Sequence, residues 1–313
     1  MNVFLAGATG AIGRHLVPML VERGHAVHGT TRSRAKADAL RAAGAVPVVI
    51  DVFDAEALRT AVAAAAPEVV AHELTALPEV LDPRRIERLF EETNRLRTEV
   101  LDTLLAAAIA AGARRFVAQS YAGWPFAREG GPVKTEDDPL DPDPPAALRS
   151  TLAAIGHLER SVVGARELEG VVLRYGGFYG PGTSIAPGTK QVELIRKRRF
   201  PIVGEGRGVW SFVHIEDAAA ATAAAIERGA RGIYQIVDDE PARASEWLPA
   251  LATAAGAKAP RRLPLWLGRL VAGEVAVVLL DQIRGASNEK AKRELGWRLH
   301  HPSWREGFPA ALR

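Results

Sequence analysis

The residues best placed to do chemistry stand at the start of the chain. Gly7-Ala8-Thr9-Gly10-Ala11-Ile12-Gly13 follows directly on the apolar run Val3-Phe4-Leu5-Ala6. In such a turn Gly7 permits a tight reversal, Gly10 lets the backbone approach a pyrophosphate, and Gly13 lets helix and strand pack closely. The backbone around Thr9, Ala11 and Ile12, with a helix dipole behind it, would face the phosphates' negative charge. A plain strand-to-helix turn with no ligand is the competing reading. A second cluster, Thr30-Thr31-Arg32-Ser33-Arg34, ends the next candidate strand. A dinucleotide without a 2′-phosphate is usually held there by Asp or Glu. Here the guanidiniums of Arg32 and Arg34 and three hydroxyls stand instead, which suits a dianionic 2′-phosphate, so NADPH is expected rather than NADH. Position alone separates these two arginines from ordinary surface charges.

Such groups need strand–turn–helix units to hold them, and the pattern supplies several. Candidate strands are Val3–Ala6, Ala26–Thr30, Val46–Ile50, Glu68–Ala71, Arg115–Gln119 and Val171–Arg174. Helical patterns lie between them at His15–Arg23, Lys36–Ala43, Ala55–Ala64, Ile86–Ala111 and Thr151–Leu168. Near-continuous apolar strands separated by helices predict an α/β fold, a doubly wound parallel sheet of Rossmann type. In the long helix Leu89, Thr93, Leu96, Val100, Leu104 and Ala107 form a core-facing stripe. The Gly-, Pro- and Asp-rich stretch from Trp124 to Pro145 follows a strand's C-terminal edge, where such sheets bind ligands.

The 313 residues carry a formal net charge of +3 with the signs interspersed. Only Arg196-Lys197-Arg198-Arg199 is a basic cluster, read as a solvated helix end, and no nucleic-acid partner is expected. The chain has no cysteine, which excludes disulfides and thiol catalysis. No leader pattern opens it, and the apolar stretch Val275–Leu280 is too short to span a bilayer, so no membrane partner and a cytoplasmic location are expected.

Six segments resemble the extended short-chain dehydrogenase/reductase superfamily, in its atypical branch related to nucleotide-sugar epimerases and dehydratases. They are the Gly7-Gly10-Gly13 turn, Asn94 in the long helix, Phe116–Ser120, Leu173–Pro181, Phe212–Asp217 and the closing Ala291–Trp297. The resemblance implies a nucleotide-binding domain of 1–181 plus 209–237 and a substrate lobe of 182–208 plus 238–313. It implies that Asp51 and Val52 contact adenine, although a helix N-cap role competes for Asp51 and Asp54 fills that role better. It places Tyr175, Gly176, Gly177 and Tyr179 along the nicotinamide pocket, with Tyr179 as a core aromatic the alternative.

The family's Tyr-x-x-x-Lys pair is missing. Counting back from Glu159 puts Thr151 at the tyrosine place and Ile155 at the lysine place; no Tyr occurs between Tyr121 and Tyr175, and no Lys between Lys134 and Lys190. Ser120 and Tyr121 both cover the supporting-serine position. With Thr151 and Tyr179 they are the candidate catalytic residues. His214 is an acid or base by type, but a lone His at a strand-to-helix junction is more often structural. Trp124, Phe126 and Trp210 could offer aromatic surface to a flat ligand. His72-Glu73 lacks a third ligand, so no metal is expected.

Three readings remain open. One is an NADPH-dependent ketoreductase of a bulky, aromatic polyketide-like carbonyl, with the proton supplied by the substrate or by Ser120, Tyr121, Tyr179 or water. The others are a non-catalytic NADP(H)-binding sensor and a sugar-nucleotide epimerase or dehydratase, whose alcohol deprotonation depends most on the missing tyrosine. The small-molecule carbonyl is the expected partner. Relatives often dimerise through the long helix, but Arg88, Glu92, Arg95, Arg97 and Glu99 are read as its charged exposed face, so monomer and homodimer both fit.

Overall fold

Alternating apolar residues explain the centre of the molecule, seen here in a computed structural model that describes residues 1–80 and 82–313. In β1 (Asn2–Ala6) Val3 and Leu5 point into one apolar cluster and Phe4 and Ala6 into another, so both faces of the strand are covered. Its companions are β2 (Ala26–Thr31), β3 (Val46–Val49), β4 (Val69–His72), β5 (Arg115–Tyr121), β6 (Glu169–Tyr175) and β7 (Gly232–Ile236), of which the edge strand β3 leaves Val46 and Val49 exposed. They form one sheet in the order β7-β6-β5-β4-β1-β2-β3. Every adjacent pair is parallel. This is the expected doubly wound α/β architecture.

The chain winds outward from β1 through β2 and β3, then returns to place β4 on the other side of β1, with Ala6 beside His72. The connections leave in opposite directions at this switch point, opening a crevice beyond the strands' C-terminal ends. Gly7 and Glu73 are the first residues past those ends.

Helices α1 (Gly13–Glu22), α2 (Arg34–Ala42), α3 (Ala55–Ala65), α4 (Ile86–Arg95), α5 (Leu101–Ala110), α6 (Arg149–Gly164), α7 (Lys190–Arg196) and α8 (Ile215–Arg228) follow in order. Asp54, not Asp51, caps α3, accepting from the amides of Glu56 and Ala57 at 3.1 and 3.0 Å. The single long helix of the sequence pattern is α4 and α5 joined through a π turn at Leu96–Val100. The extra residue in that turn shifts the helical phase. Arg97, expected on the exposed face, lies in this turn and is buried, with 5% of its surface accessible.

The strand β7 has no separate signal in the sequence pattern, and α6 ends at Gly164 rather than Leu168. Leu168 is buried just ahead of β6, which extends the apolar periodicity past the helix. Phe212, Trp247, Trp304 and Phe308 gather with Tyr179 in a separate apolar cluster beside the sheet. Ala291, Leu295 and Trp297, within the stretch expected to build the substrate lobe, pack instead with Val3, Leu5 and Leu16 in the core of the sheet.

Candidate active site

A cleft of about 1170 Å³ runs from the glycine turn past the ends of β1, β4, β5 and β6 towards the aromatic cluster. At one end the turn is sterically fixed. Gly7 has φ +103°, and a Cβ there would lie 2.6 Å from the Glu73 carbonyl oxygen. A Cβ on Gly13 would lie 2.5 Å from the Ala8 carbonyl carbon. Gly10 is exposed, and its amide donates to the Gly7 carbonyl at 2.9 Å. No side chain caps α1, and the amides of Ala11 and Ile12 donate to no acceptor among the described residues. Unused amides at a helix start, on a turn with no room for side chains, fit a dinucleotide pyrophosphate.

Gly7, Thr9, Gly10, Ala11 and Ile12 line the cleft; Gly13 lies behind them as a packing residue. At the end of β2, Arg32, Ser33 and Lys36 line it and Arg34 does not. Arg34 opens α2 and is exposed outside the lining, because the helix turns its side chain away. Lys36 is a cation the sequence reading passed over. Arg32 pairs with Glu92 at 3.4 Å, both well exposed. Val52 lines the cleft, with Phe53, whereas Asp51 lies outside it and accepts the Phe53 amide at 3.1 Å.

Glu73 lines the cleft and is fully buried. Burial pushes its carboxyl up to about 8, partly offset by the hydrogen bond donated by the Tyr175 hydroxyl at 3.3 Å. Tyr175 also shares a 2.6 Å bond with Thr222 Oγ1. Glu73 binds a proton in the folded state that the unfolded chain releases near its ordinary pKa, so stability declines as pH rises from about 5 to 8. Wild type is expected to lose a few kcal/mol relative to Glu73→Gln over that range, measured by urea denaturation at both pH values. Parallel pH profiles would refute it.

At the reacting end, Gln119, Ser120, Tyr121, Trp124, Ile155, Gly176 and Trp210 line the cleft. Ser120 Oγ donates to Glu159 Oε1 at 2.8 Å, and Arg174 holds both oxygens of that carboxylate at 2.7 Å. Burial pushes the Tyr121 phenol up to about 12, so it is protonated at neutral pH and poorly disposed to give the proton up. Ile155 makes the lysine place apolar.

Two candidate catalytic residues are not at the cleft. Thr151 is buried in α6, its Oγ1 accepting from Asn94 Nδ2 at 3.1 Å. Tyr179 is buried edge-on between His214 and Phe308 and is a core aromatic. Phe126 is likewise buried outside the cleft, beneath the Arg174 guanidinium. His214 caps α8 by accepting the Glu216 amide at 3.4 Å. Its Nδ1 and the Nε2 of His301 approach Glu216 Oε2 at 3.9 and 3.6 Å, away from the cleft.

The sequence reading missed Arg97. It lines the cleft from the π turn and makes no hydrogen bond or ion pair among the described residues. Its spacing carried the signal, since Thr93, Arg97, Val100 and Leu104 continue one buried stripe at intervals of four, three and four.

Residues 3–237 match the model of the NAD dependent epimerase/dehydratase family, and the chain belongs to that family. It is 45% identical to a Streptomyces 3-diazoavenalumate denitrifying reductase over 98% of this chain and 99% of that one. It is 29% identical to the 4-hydroxy-2-methyl-3-oxo-4-farnesyl-3,4-dihydroquinoline-1-oxide ketoreductase of Stigmatella aurantiaca, covering 95% and 92%. Among solved structures, the Thermus thermophilus UDP-glucose 4-epimerase complex with NAD superposes with a TM-score of 0.73 at 25% identity, covering 99% and 97%. The relatives named as reductases, with the family, identify an oxidoreductase.

Proposed function

We propose that this chain is an NADPH-dependent reductase that removes a diazo group, as N2, from a flat conjugated carboxylate held in the aromatic-lined cleft. The reading is supported by the 45% identical denitrifying reductase and by the place of the usual acid–base pair, where Thr151 is buried away from the cleft and Ile155 is apolar. Ketone reduction ends on an oxygen that must be protonated, the work usually done by the missing pair. Diazo removal makes no such demand. Written on the diazonium form, R–N2+ accepts hydride at its terminal nitrogen to give R–N=NH. That diazene passes its proton to the ring carbon as N2 leaves, so R–N2+ plus hydride becomes R–H plus N2.

A reduced nicotinamide dinucleotide supplies the hydride when bound. The chain's own work is to orient and to exclude water. The glycine turn and the open start of α1 would seat the pyrophosphate, Glu73 and Tyr175 the adjoining polar portion, and Gly176 the close approach of backbone. Trp124, Trp210 and Phe178 offer flat apolar surface to the acceptor. For the cofactor's 2′-phosphate, Arg32 with Ser33 and Lys36 supplies the donors. Arg32→Ala is expected to weaken NADPH binding by ~1.5–3 kcal/mol, the range for a hydrogen bond to a charged group, and to leave NADH binding unchanged. Equal loss for both would contradict a 2′-phosphate site.

Reduction of a bulky aromatic carbonyl is the second reading, favoured by the ketoreductase relative and by the protonated Tyr121 hydroxyl lining the cleft. The test is NADPH oxidation by the purified protein against diazo-substituted hydroxycinnamates, peri-hydroxylated aromatic ketones and simple ketones. Turnover with stoichiometric N2 on the diazo compounds supports the first reading. Turnover on aromatic ketones alone supports the second. Tight NADPH binding without turnover on any acceptor would make the protein a sensor.

A further inference from the structure

The described residues include four largely buried cations besides His, and three of them have partners, although Arg174 Nη1 and Arg115 Nε are themselves unpartnered. Arg174 holds Glu159 at 2.7 Å, Lys134 holds Asp138 at 2.9 Å, and Arg115 donates to the carbonyls of Ala225 and Ile226 at 3.2 and 2.7 Å. Arg97 alone has no hydrogen bond or ion pair, and its Nη1 is buried without a partner. Glu159, whose charge acts on Arg97, already has Arg174 and Ser120 as its hydrogen-bond partners. A buried guanidinium left in this condition is costly unless something joins it.

What can join it is set by its position. Arg97 sits on the π turn between α4 and α5, and it lines the cleft together with Ser120, Tyr121 and Ile155. The other cations lining the cleft, Arg32, Lys36 and Arg199, are exposed and therefore hydrated. Burial lowers the Arg97 guanidinium to about 10, which leaves it charged at neutral pH. π turns inside helices recur at functional sites because they displace a side chain from the regular helical face.

We propose that Arg97 is the binding site for an anionic oxygen of the acceptor, its carboxylate or a ring oxyanion, and so fixes the acceptor in the cleft. The inference rests on the acceptor occupying this cleft, as the proposed function requires, but not on the reaction it undergoes. Arg97 cannot replace the missing tyrosine as a proton exchanger, because a guanidinium does not give up its proton at neutral pH. It serves as a fixed positive charge whose partner arrives with the ligand, and a planar fork of donors matches a carboxylate bidentately.

The experiment measures binding rather than turnover, so it is separate from the test of the reaction. Affinities of 4-hydroxycinnamate, its methyl ester and 4-methoxycinnamate are measured at pH 7 and pH 9 on the NADP+-loaded protein, for wild type, Arg97→Met and Arg97→Lys. Wild type is expected to prefer the anion over its neutral counterpart by ~10- to 100-fold. A penalty confined to the methyl ester identifies the carboxylate; one that appears only for 4-methoxycinnamate at pH 9 identifies the ring oxyanion. Arg97→Met should abolish the preference with unchanged NADPH affinity and an unchanged or higher melting temperature, and Arg97→Lys should keep part of it. Three results would overturn the proposal. They are no preference or no binding in wild type, the same preference in Arg97→Met, and a loss of NADPH affinity in Arg97→Met with the preference intact, which would assign the guanidinium to the cofactor.

Discussion

Replacing Arg174 by methionine is expected to cost ~3–5 kcal/mol of stability, because it strands a carboxylate in the interior. Arg174 in β6 and Glu159 in α6 have side chains only 4% and 6% exposed, and they meet through two 2.7 Å hydrogen bonds. Without the guanidinium, Glu159 keeps only the Ser120 hydroxyl. The double variant Arg174→Met/Glu159→Leu should recover most of the loss, since a buried ion pair is worth little more than well-packed apolar groups of similar volume. Urea denaturation of the single and double variants decides the matter. A single-variant loss below ~1 kcal/mol would place the pair in the regime of exposed salt bridges. The pair joins the helix that lost the usual acid–base residues to the strand ending at Tyr175, so it fixes the floor of the reacting end.

The second large effect concerns the cofactor turn. Gly13→Val should lower NADPH affinity by ~10²-fold or more, the scale for misplacing a binding element by about 1 Å. A Cβ at Gly13 would stand 2.5 Å from the Ala8 carbonyl carbon, and that neighbour is backbone that cannot rotate aside. The turn must move, and with it the amides of Ala11 and Ile12. Overpacking alone would cost ~1–3 kcal/mol of stability, so the variant should fold and yet bind poorly. Gly164→Ala, at a position with ordinary backbone where a Cβ meets nothing within 4 Å, is the comparison for general glycine loss. Equal NADPH affinities for wild type and Gly13→Val would remove the turn from the binding site.

Much of this was legible in the residues. The strand Val3–Ala6 and the turn after it could be read because burial on both faces demands continuous apolar sequence, and close packing demands glycine. Thr151 and Ile155 showed the loss of the usual pair by residue type alone. The strand Gly232–Ile236 was harder to see as a separate element, because Gly232 and Gln235 interrupt its short apolar run. Tyr179 carries the same side chain whether it faces a cleft or a core, and only the Phe308 and His214 rings around it settle which. Arg97 misled for a physical reason. Its charge argued for solvent while its spacing argued for the interior, and the fold follows the spacing.

The central claim is that the chemistry in this cleft runs without a protein proton donor. The direct measurement is steady-state NADPH oxidation by the double variant Ser120→Ala/Tyr121→Phe, using whichever acceptor the wild type turns over. Both hydroxyls that line the reacting end are then gone, and neither Thr151 nor Tyr179 lines the cleft. A rate within ~10-fold of wild type is the predicted result. A fall of ~10²-fold or more, the contribution typical of a general acid, would contradict it and identify the donor in this pair.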